Sequence, residues 1–546
     1  MTLDPRRDTR WWGWGGPSEQ ATLSEAAERL IRERGIGNGP EGPRPAPVPS
    51  LEQVRIPDAR PLPRAVIEAA GPDAVFSGPE DRIRHATGQS YLDLLARRSG
   101  RLDLAPDAVV TVPSAEVLLP LLESCGANGV AVVPFGGGTS VVGGVAPLRG
   151  DFDQVISLDL VNLRGFQTDP VSMTARLGAG LRGPEAEALL GAQGLTLGHF
   201  PQSFEYATIG GFAATRSAGQ SSSGFGRFDS LVSSVRLVTP TGWMRTADTP
   251  HTAIGPSLRE TIIGSEGIFG VIPDVDVRVR PAPAVQRREA WVAESFEAGN
   301  AIVRKLAQAG TLPTVIRVSD EAETEVSFAS SAPTGLAGAA FRRYLKSRGR
   351  ERGALMILSY EGTAEETRRQ RGDAVKALKG GGAVALGQSG GRGWARGRFH
   401  GPYLRELLMD RGILVETFET AAQWRDHDRL YRAVGTTLEG EMKRQGMDGI
   451  VMCHLSHAYP DGASLYFTVI SSPGREGGAV TWPRIKSAAL DVIQGAGGSI
   501  SHHHATGRDH MPWVEGEIGE LGVDALRAVK EQLDPVGIMN PGKLLP

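Results

Sequence analysis

A run of three glycines between a β-branched stretch and two hydroxyl residues is the local pattern that best fits binding chemistry. The run occupies 136–138 within VVPFGGGTSVVGG at 132–144. Glycine permits positive φ and lets backbone N–H groups approach an anion, while Thr139 and Ser140 add hydroxyl donors. No lysine follows the run and β-type residues do, so it is neither a Walker loop nor a Rossmann fingerprint. The pattern favours a pyrophosphate ligand, with a plain glycine-rich turn as the alternative.

Three further loops of small and hydroxyl-bearing residues follow at 201–211, 215–219 and 264–272. Each of these loops lies beside an apolar, strand-like stretch. Four such loops suit a long ligand that has a phosphate centre and flat ends. A dinucleotide such as FAD has that shape, so we expect the loops to serve one dinucleotide site.

A triplet of histidines at 502–504 and a tyrosine at 466 are candidates for proton transfer. Histidine titrates near neutral pH and is the residue that most often carries protons in enzymes. Consecutive side chains of an extended chain point to opposite faces, so the three histidines cannot all share one ligand, and we expect no metal there. A polar loop is the alternative for the triplet. Tyr466 lies in a β pattern at 463–470, where a tyrosine by itself is typical of a core residue.

The succession of apolar, glycine-rich and charged stretches indicates how the chain is organised around these residues. Its 546 residues, of which 40% are hydrophobic, allow two to four domains with sizeable cores. Helical periodicity and a proline-rich connector characterise 1–100. Short strands alternate with glycine clusters over 101–281, and helices mix with strands over 282–494, before a C-terminal segment at 495–546. The predicted fold class is therefore α+β.

Within those regions, particular stretches have the periodicity of one kind of element. Helices are predicted at 18–34, 81–97, 114–126, 183–193, 295–308, 364–378 and 424–445. Strands are predicted at 108–112, 130–134, 155–158, 174–177, 231–239, 275–280, 356–360, 450–455 and 463–470. An extended connector is predicted at 35–63, and the glycine- and arginine-rich stretch 380–397 is predicted to be a mobile loop.

Composition and charge exclude several classes of protein. The net charge is −3, unlike that of a strongly basic nucleic-acid binder, so we expect no nucleic-acid partner. Cys125 and Cys453 are too few for a disulfide framework or a thiolate zinc cluster, which fits a reducing compartment. No stretch has the apolar length of a transmembrane helix, and the N-terminus lacks the apolar core of a signal peptide. We therefore expect a cytoplasmic protein.

Taken in order, the motifs resemble the FAD-binding fold of the vanillyl-alcohol oxidase superfamily. The matching pieces are PFGGGTSVVGG at 134–144, PQSFEYATIGG at 201–211, GSEGIFGVI at 264–272 and DPVGIMNPGK at 534–543. A narrower resemblance is to the alkyldihydroxyacetonephosphate synthase family. It is carried by WWGWG at 11–15, ETFET at 416–420, GASLYF at 462–467 and GSISHHH at 498–504. The implied architecture is a two-part FAD-binding domain, an α+β cap domain, a helical N-terminal region and a C-terminal segment whose histidines return to the active site.

The resemblance implies FAD that is bound without a covalent link. Some members of the superfamily attach the flavin through a histidine in the phosphate loop or through a cysteine. The phosphate loop of this chain contains no histidine, and neither cysteine lies in such a motif. The implied cofactor-binding residues are Pro134, Phe135, Gly136, Gly137, Gly138, Thr139, Ser140, Gln202, Ser203, Tyr206, Ala207, Thr208, Thr215, Arg216, Ser217, Ala218, Glu266, Gly267, Ile268, Phe269, Gly270, Val271 and Ile272.

The resemblance also assigns roles at the reaction centre. Tyr466 matches the acid/base tyrosine of the family, Arg405 matches its substrate-phosphate arginine, and Arg317 matches an arginine near the flavin. A planar guanidinium suits a phosphate dianion. The catalytic residues that the resemblance implies are Tyr466, His199, His502, His503 and His504.

The implied reaction exchanges the acyl group of acyl-dihydroxyacetone phosphate for a long-chain alcohol. A fatty acid is released and an ether is left, with no net redox change. Related hydroxyacid dehydrogenases carry a metal-binding pattern, H-x-GDGN-x-H, in this region. The present chain has His454 and His457 there but lacks the GDGN core. Two alternatives stay open: an FAD-linked oxidase or dehydrogenase of a hydroxy acid or alcohol on the same fold, and a flavoprotein that serves as a binding module.

The lipid nature of the implied substrates leads to an expectation about partners. We expect peripheral docking at the inner face of the membrane, with the stretch 380–397 and its Trp394 as the candidate contact. A solvent-exposed loop is the alternative for that stretch. The sequence does not determine the oligomeric state, and a homodimer is compatible with it.

Overall fold

The first part of the chain is helical in a computed structural model that describes residues 8–19, 21–37, 47–333 and 335–546. Its elements are α1 (Glu25–Glu33), α2 (Arg64–Ala70), β1 (Val75–Phe76), α3 (Pro79–Arg84) and α4 (Tyr91–Ser99). The helix predicted at 18–34 begins later, because Ser24 accepts a hydrogen bond from the N–H of Ala27 and caps α1. The helix predicted at 81–97 is two helices, because Ser90 caps a new one. The connector predicted at 35–63 lies partly outside the described residues.

Two sheets carry the loops that sequence analysis selected. The strands are β2 (Ala108–Thr111), β3 (Val130–Phe135), β4 (Gln154–Asp159), β5 (Phe166–Asp169), β6 (Thr174–Gly178), β7 (Leu195–Thr196), β8 (Val232–Thr239), β9 (Gly242–Arg245), β10 (Asp274–Arg278) and β11 (Arg280–Pro281). The helices are α5 (Leu118–Ala127), α6 (Gly183–Gly191), α7 (Ile209–Ala214), α8 (Ser222–Phe225), α9 (Phe228–Leu231) and α10 (Leu258–Ile262). One sheet has the order β1-β2-β4-β3, the other has the order β5-β6-β10-β8-β9, and β11 and β7 form a separate antiparallel pair.

Strand β3 positions the glycine run. Its residues are almost fully buried, and it lies parallel to β4, so its carboxyl end delivers Gly136 at the edge of the sheet. The C-terminal segment runs along the other side of β3, where the N–H of Val132 donates to the carbonyl of Ile538 and the N–H of Asn540 donates to the carbonyl of Val132. Residues more than four hundred positions apart therefore hold the strand that leads into the loop.

A seven-stranded antiparallel sheet with the order β15-β12-β14-β13-β17-β18-β16 dominates the later part of the chain. Its strands are β12 (Val285–Ala293), β13 (Val315–Ser319), β14 (Ala354–Gly362), β15 (Val384–Gly387), β16 (Leu414–Gln423), β17 (Gly449–Leu455) and β18 (Gly462–Ser471). The helices here and beyond are α11 (Phe296–Gln308), α12 (Glu321–Ser331), α13 (Gly335–Ser347), α14 (Ala364–Gly380), α15 (Gln388–Gly397), α16 (Gly401–Met409), α17 (Trp424–Arg444), α18 (Gly478–Gly495), α19 (Val514–Ile518) and α20 (Glu520–Leu533).

The largest hydrophobic core lies between this sheet and its helices. It includes the fully buried rings of Phe418, Phe467 and Trp482, and helix α4 from the N-terminal region contributes Tyr91 and Leu94. Packing of α4 against the sheet joins the first and third parts of the chain. The α+β class is confirmed, while the domain limits stay predictions. Within the described ranges, no helix is both long and apolar enough to cross a membrane.

The prediction of a mobile loop at 380–397 is wrong. Strand β15 pairs with β12 at the edge of the sheet, and helix α15 follows it directly. Two glycines of this helix serve close packing: a Cβ on Gly391 would lie 2.6 Å from the backbone nitrogen of Glu289, and one on Gly390 would lie 2.8 Å from the Cβ of Ala290. A high glycine content therefore marks here a helix that lies against a strand, and not a flexible segment.

Candidate active site

The glycine run lines a cavity that is partly open to solvent. Gly136, Gly137, Gly138 and Thr139 form one part of its wall, and the second predicted loop contributes Tyr206 and Thr208. The N-terminal WWGWG motif forms another part through Trp11, Gly13, Trp14 and Gly15. The ring of Trp14 packs edge-on against the ring of Tyr206, with 4.9 Å between their centroids. Backbone from three separate segments therefore surrounds a space that suits the phosphates and one end of a dinucleotide.

Contact between the first two loops explains why glycine is required at 137. A Cβ on Gly137 would lie 1.9 Å from the carbonyl oxygen of Tyr206 and 3.1 Å from the Cα of Ala207. The side chain of a larger residue would therefore strike the neighbouring loop, and it would not enter the space of the pyrophosphate. On Gly136, a Cβ would lie 2.4 Å from Oγ1 of Thr208. The glycines allow two loops to touch, which gives the cavity its wall.

The third and fourth predicted loops hold the cavity in place and do not line it. Arg216 points to Glu260, with 2.9 Å between Nη1 and Oε2. Ile268 and Phe269 are buried in the core of the second sheet. Glu266 accepts hydrogen bonds of 2.8 Å from the N–H groups of Thr506 and Gly507, so it ties the fourth loop to the C-terminal segment. Burial raises the pKa of Glu266 to about 7.

Three strands of the large sheet place Glu419, Tyr466 and His454 side by side. Glu419 on β16 pairs with Tyr466 on β18, and Tyr466 pairs with His454 on β17. Residues directly opposite one another in antiparallel strands share a face of the sheet. The rings of His454 and Tyr466 are stacked with 4.7 Å between their centroids. The register of the sheet thus builds a row of one carboxylate, one phenol and one imidazole.

Tyr466 lies half-buried at the centre of this row. Its hydroxyl donates a hydrogen bond of 3.0 Å to Oγ1 of Thr417, and the ring of His504 lies edge-on at 5.4 Å between centroids. Burial raises the pKa of Tyr466 to about 12, and the nearby carboxylates of Glu416 and Glu419 act in the same direction. Tyr466 is therefore a neutral phenol at physiological pH, which can donate a proton as well as accept one back.

Glu419 organises the histidine triplet. Its carboxylate accepts hydrogen bonds of 2.7, 2.9 and 2.8 Å from the backbone N–H groups of His502, His503 and His504. Ser501 donates its hydroxyl to the same carboxylate at 3.0 Å. The backbone curves around the carboxylate, so the chain is bent at 502–504 and the expectation of an extended segment is wrong. Sequence analysis quoted Glu419 only as part of the ETFET motif, and local spacing contains no signal for this role.

The curved backbone brings His502 and His503 together with His457, which follows β17. Nδ1 of His502 lies 3.0 Å from Nδ1 of His503, and the ring of His457 is stacked on that of His502 at 5.1 Å between centroids. The hydroxyl of Tyr459 lies 2.7 Å from Nε2 of His502. Burial lowers the pKa values of His502 and His503 well below their usual range, and neighbouring imidazoles lower them further. Sequence analysis did not find Tyr459.

The two predicted arginines lie in different surroundings. Arg405 donates to the carbonyl of Gln89 at 2.7 Å and to Glu406 at 3.2 Å, while its Nε is buried without a hydrogen-bond partner. An unpaired guanidinium donor in a buried setting is available to an anionic ligand. Arg317 is held by Glu323 at 2.6 Å and approaches Nδ1 of His454 at 2.9 Å. It therefore orients the imidazole that stacks on the tyrosine.

His199 lies among aromatic rings beneath the third loop. It is buried beside the rings of Phe212 and Phe228, with centroid distances of 4.8 and 5.2 Å, and its Nε2 bonds to Oγ of Ser217 at 3.0 Å. Burial lowers its pKa to about 3. The surroundings make His199 a neutral core residue beneath the third loop.

Comparison with known proteins relates this geometry to a family. The FAD binding domain family matches residues 106–248, and the C-terminal domain family of FAD linked oxidases matches 282–544. The alkyldihydroxyacetonephosphate synthase of Trypanosoma brucei brucei is 31% identical over 575 residues, which cover 100% of this chain and 94% of the relative. The chain belongs to the alkyldihydroxyacetonephosphate synthase family.

Other members of the synthase family agree with this result. The synthase of Dictyostelium discoideum is 30% identical, with 92% of this chain and 84% of the relative covered. A solved structure of an alkyldihydroxyacetonephosphate synthase matches with a TM-score of 0.85 at 27% identity and covers 99% of both chains. The chain is thus an FAD-binding enzyme of the alkyldihydroxyacetonephosphate synthase type, and the resemblance drawn from the motifs is confirmed. The assignment of individual site residues stays a prediction.

Proposed function

We propose that this synthase exchanges the acyl group of acyl-dihydroxyacetone phosphate for a long-chain alcohol. The bond between C1 of the substrate and the carboxylate oxygen breaks, and a bond between C1 and the alcohol oxygen forms. The proton of the alcohol leaves with the fatty acid, so there is no net redox change. The observation that carries the proposal is the row of Glu419, Tyr466 and His454 beside the histidine triplet, in a chain that matches the synthase family over its whole length.

We propose that FAD binds at the glycine run, where two loops and the N-terminal motif supply backbone groups and aromatic rings. When bound, FAD supplies a ring that can share an electron pair with the substrate carbon and take it back. We propose that the cofactor dissociates freely. The phosphate loop contains no histidine, and both Cys125 and Cys453 are buried, which leaves neither thiol accessible for attachment. Acid precipitation should release all of the flavin into the supernatant, and flavin that stays with the pellet would contradict this.

Tyr466 is the proposed acid/base group. Its raised pKa keeps the phenol protonated, so it can donate to the leaving carboxylate and receive the proton of the incoming alcohol. His454 stacks on one face of the ring and is itself oriented by Arg317, so the phenol has little freedom to turn. His504 lies edge-on to the ring and is the imidazole of the triplet that is nearest to it. The chain therefore presents one positioned proton donor with an adjacent imidazole.

Arg405 is the proposed phosphate ligand. Its guanidinium is buried to about nine-tenths and retains one donor without a partner. Burial strengthens a charge-assisted hydrogen bond to a phosphate oxygen, because water does not screen it. Gln89 holds the other side of the guanidinium, which leaves the Nε edge for the substrate.

A direct test is incubation of the FAD-loaded protein with acyl-dihydroxyacetone phosphate and a fatty alcohol, followed by mass analysis for the ether and the released fatty acid. Equal amounts of both products are expected, without bleaching of the flavin. Rapid anaerobic bleaching by a hydroxy acid, together with no ether, would assign the chain to the oxidases or dehydrogenases of the same fold.

A further inference from the structure

Two buried histidines and one partly buried histidine beside the proposed reaction centre come close enough to share one ligand. His457, His502 and His503 each offer a ring nitrogen, and these three nitrogens all lie within 4.8 Å of one another. They come from two segments of the chain, since His457 follows β17 while the other two belong to the C-terminal loop. The centroids of the three rings are 5.1 to 5.3 Å apart.

We propose that His457, His502 and His503 form a binding site for one divalent transition-metal ion, with zinc as the best-fitting ion. A tetrahedral zinc site with Zn–N bonds of about 2.05 Å places its ligand nitrogens about 3.4 Å apart. The Nδ1 atoms of His502 and His503 are already 3.0 Å apart. Small rotations of the rings therefore suffice to bring the cluster to that spacing.

The ring of His457 gives an independent reason to expect a ligand. Only 4% of this residue is exposed, and its Nδ1 is buried without a hydrogen-bond partner. A buried nitrogen that has lost water and gained no partner costs free energy, so such atoms in folded proteins are usually paired. A metal ion between the three rings would supply that partner.

The carboxylate of Glu419 supports a cation at this point. It is 1% exposed, and its Oε2 lies 3.5 Å from Nδ1 of His503. A buried negative charge this close to the ligand nitrogens favours a cation between the rings, because little water screens their attraction. Arg227 is the nearby positive charge that opposes a cation, but its guanidinium lies 3.1 Å from the carboxylate of Asp229, which neutralises it.

Tyr459 fixes the ring of His502. Its hydroxyl lies 2.7 Å from Nε2 of His502, so Nδ1, which lies 3.0 Å from Nδ1 of His503, is the nitrogen that remains for a metal ion. The three histidines supply three ligands, and a tetrahedral zinc ion can take a water molecule as the fourth. In the presence of zinc, His502 and His503 would be ligands, while Tyr466 and His504 would remain for proton transfer. The inference concerns binding alone and does not depend on the proposed reaction.

The test uses the full chain loaded with FAD. The protein is treated with a chelator, desalted, mixed with a small excess of Zn²⁺ and desalted again, and the retained zinc is measured by mass spectrometry. We expect about one zinc per chain for the wild type and almost none for the double variant His457→Gln/His503→Gln. The matched control is His427→Gln, because His427 is also a buried histidine but lies on α17 outside the cluster, with its Nδ1 3.7 Å from the carboxylate of Asp428. It should retain as much zinc as the wild type.

Two outcomes would overturn the site: no retained zinc in the wild type, or equal zinc in the wild type and the double variant. If the double variant does not fold, the absorption spectrum of the wild type loaded with Co²⁺ tests the site instead. Tetrahedral cobalt absorbs strongly at wavelengths beyond the flavin bands, and strong absorption there is expected. Weak absorption typical of octahedral cobalt would also overturn the site. The two proposals fail separately: a wild type that forms the ether but retains no zinc after loading would overturn the metal site alone, and a wild type that retains zinc but forms no ether would overturn the proposed function alone.

Discussion

Replacing Gly137 by alanine tests whether contact between the first two loops is necessary for FAD to bind. The new Cβ would lie 1.9 Å from the carbonyl oxygen of Tyr206 and 2.7 Å from its carbonyl carbon. Atoms without a bond prefer separations of about 3.5 Å or more. Neither partner is the end of a flexible side chain, so the backbone of one loop must move by more than about 1 Å. Tyr206 lines the cavity, and the movement would therefore deform its wall.

The size of the effect follows from the cost of overpacking. Such a change in a well-packed region costs about 1–3 kcal/mol. At about 1.4 kcal/mol for each factor of ten, the Kd for FAD should rise about 5- to 150-fold if the loops relax only when the cofactor is absent. Gly165→Ala is the control, because a Cβ there meets no heavy atom within 4 Å. The Kd of this variant should stay within about twofold of the wild type.

The assay is titration of the apoprotein with FAD, followed by quenching of flavin fluorescence, with thermal unfolding of each apoprotein in parallel. A lower unfolding temperature of apo Gly137→Ala would show that the cost is also present without the cofactor. If Gly137→Ala binds FAD as tightly as Gly165→Ala and unfolds at the same temperature as the wild type, the contact with Tyr206 does not limit the loop, and the reasoning is refuted.

Four other changes test the remaining assignments. Tyr466→Phe should keep FAD but lower ether formation by about 10²–10⁴-fold, the range for one acid/base group, as measured by product mass. Arg405→Lys keeps the charge but loses the planar guanidinium that can donate two hydrogen bonds to one phosphate. The ratio kcat/KM should therefore fall about 10- to 100-fold, mainly through a higher KM. Glu419→Gln should cost about 1.5–3 kcal/mol in the free energy of unfolding by denaturant, because an amide cannot serve all the N–H donors of the triplet. Arg392→Glu/Arg396→Glu should weaken flotation with anionic liposomes, since both arginines are exposed on α15.

Matched variants separate these effects from general damage. Tyr360 is a buried tyrosine of the same sheet whose hydroxyl has no partner, so full activity is expected of Tyr360→Phe. Glu439→Gln removes an exposed carboxylate of α17 and should leave stability almost unchanged. Arg368→Glu changes an exposed arginine of α14 and should not alter flotation. Full ether synthesis by Tyr466→Phe would contradict its acid/base role. Equal flotation of all the arginine variants would contradict a membrane contact through α15.

Local sequence patterns were sufficient for the glycine loop and for strands such as β3 and β18, but they did not predict β16, which carries Glu419. Strand β3 could be predicted because its residues are apolar and β-branched, and the loop could be predicted because three glycines follow directly. The strand of Tyr466 was predicted at 463–470 and spans Gly462–Ser471. These features depend on neighbouring residues and on backbone freedom, both of which can be read from consecutive positions.

Patterns failed where a residue's neighbours are distant in the chain. The glycines at 390 and 391 led to the prediction of a flexible segment, yet they allow α15 to lie against β12. The histidine triplet was expected to be extended, yet its backbone bends around the carboxylate of Glu419. Glu419 lies 83 to 85 positions earlier in the chain. In both cases a contact between residues that are distant in the sequence decided the conformation. The local composition was also compatible with a flexible loop or an extended segment.

The sequence by itself therefore determined which residues can do chemistry: a glycine cradle for a dinucleotide, a phenol on a strand, imidazoles and guanidinium groups. Only the tertiary structure decided which of these residues lie in contact with one another. The register of β16, β18 and β17 put Glu419, Tyr466 and His454 in one row, and the bent C-terminal loop brought His502 and His503 to His457. The physical reason is that pairing between distant strands and the burial of a carboxylate under backbone N–H groups are properties of the folded chain, which spacing along the sequence does not encode.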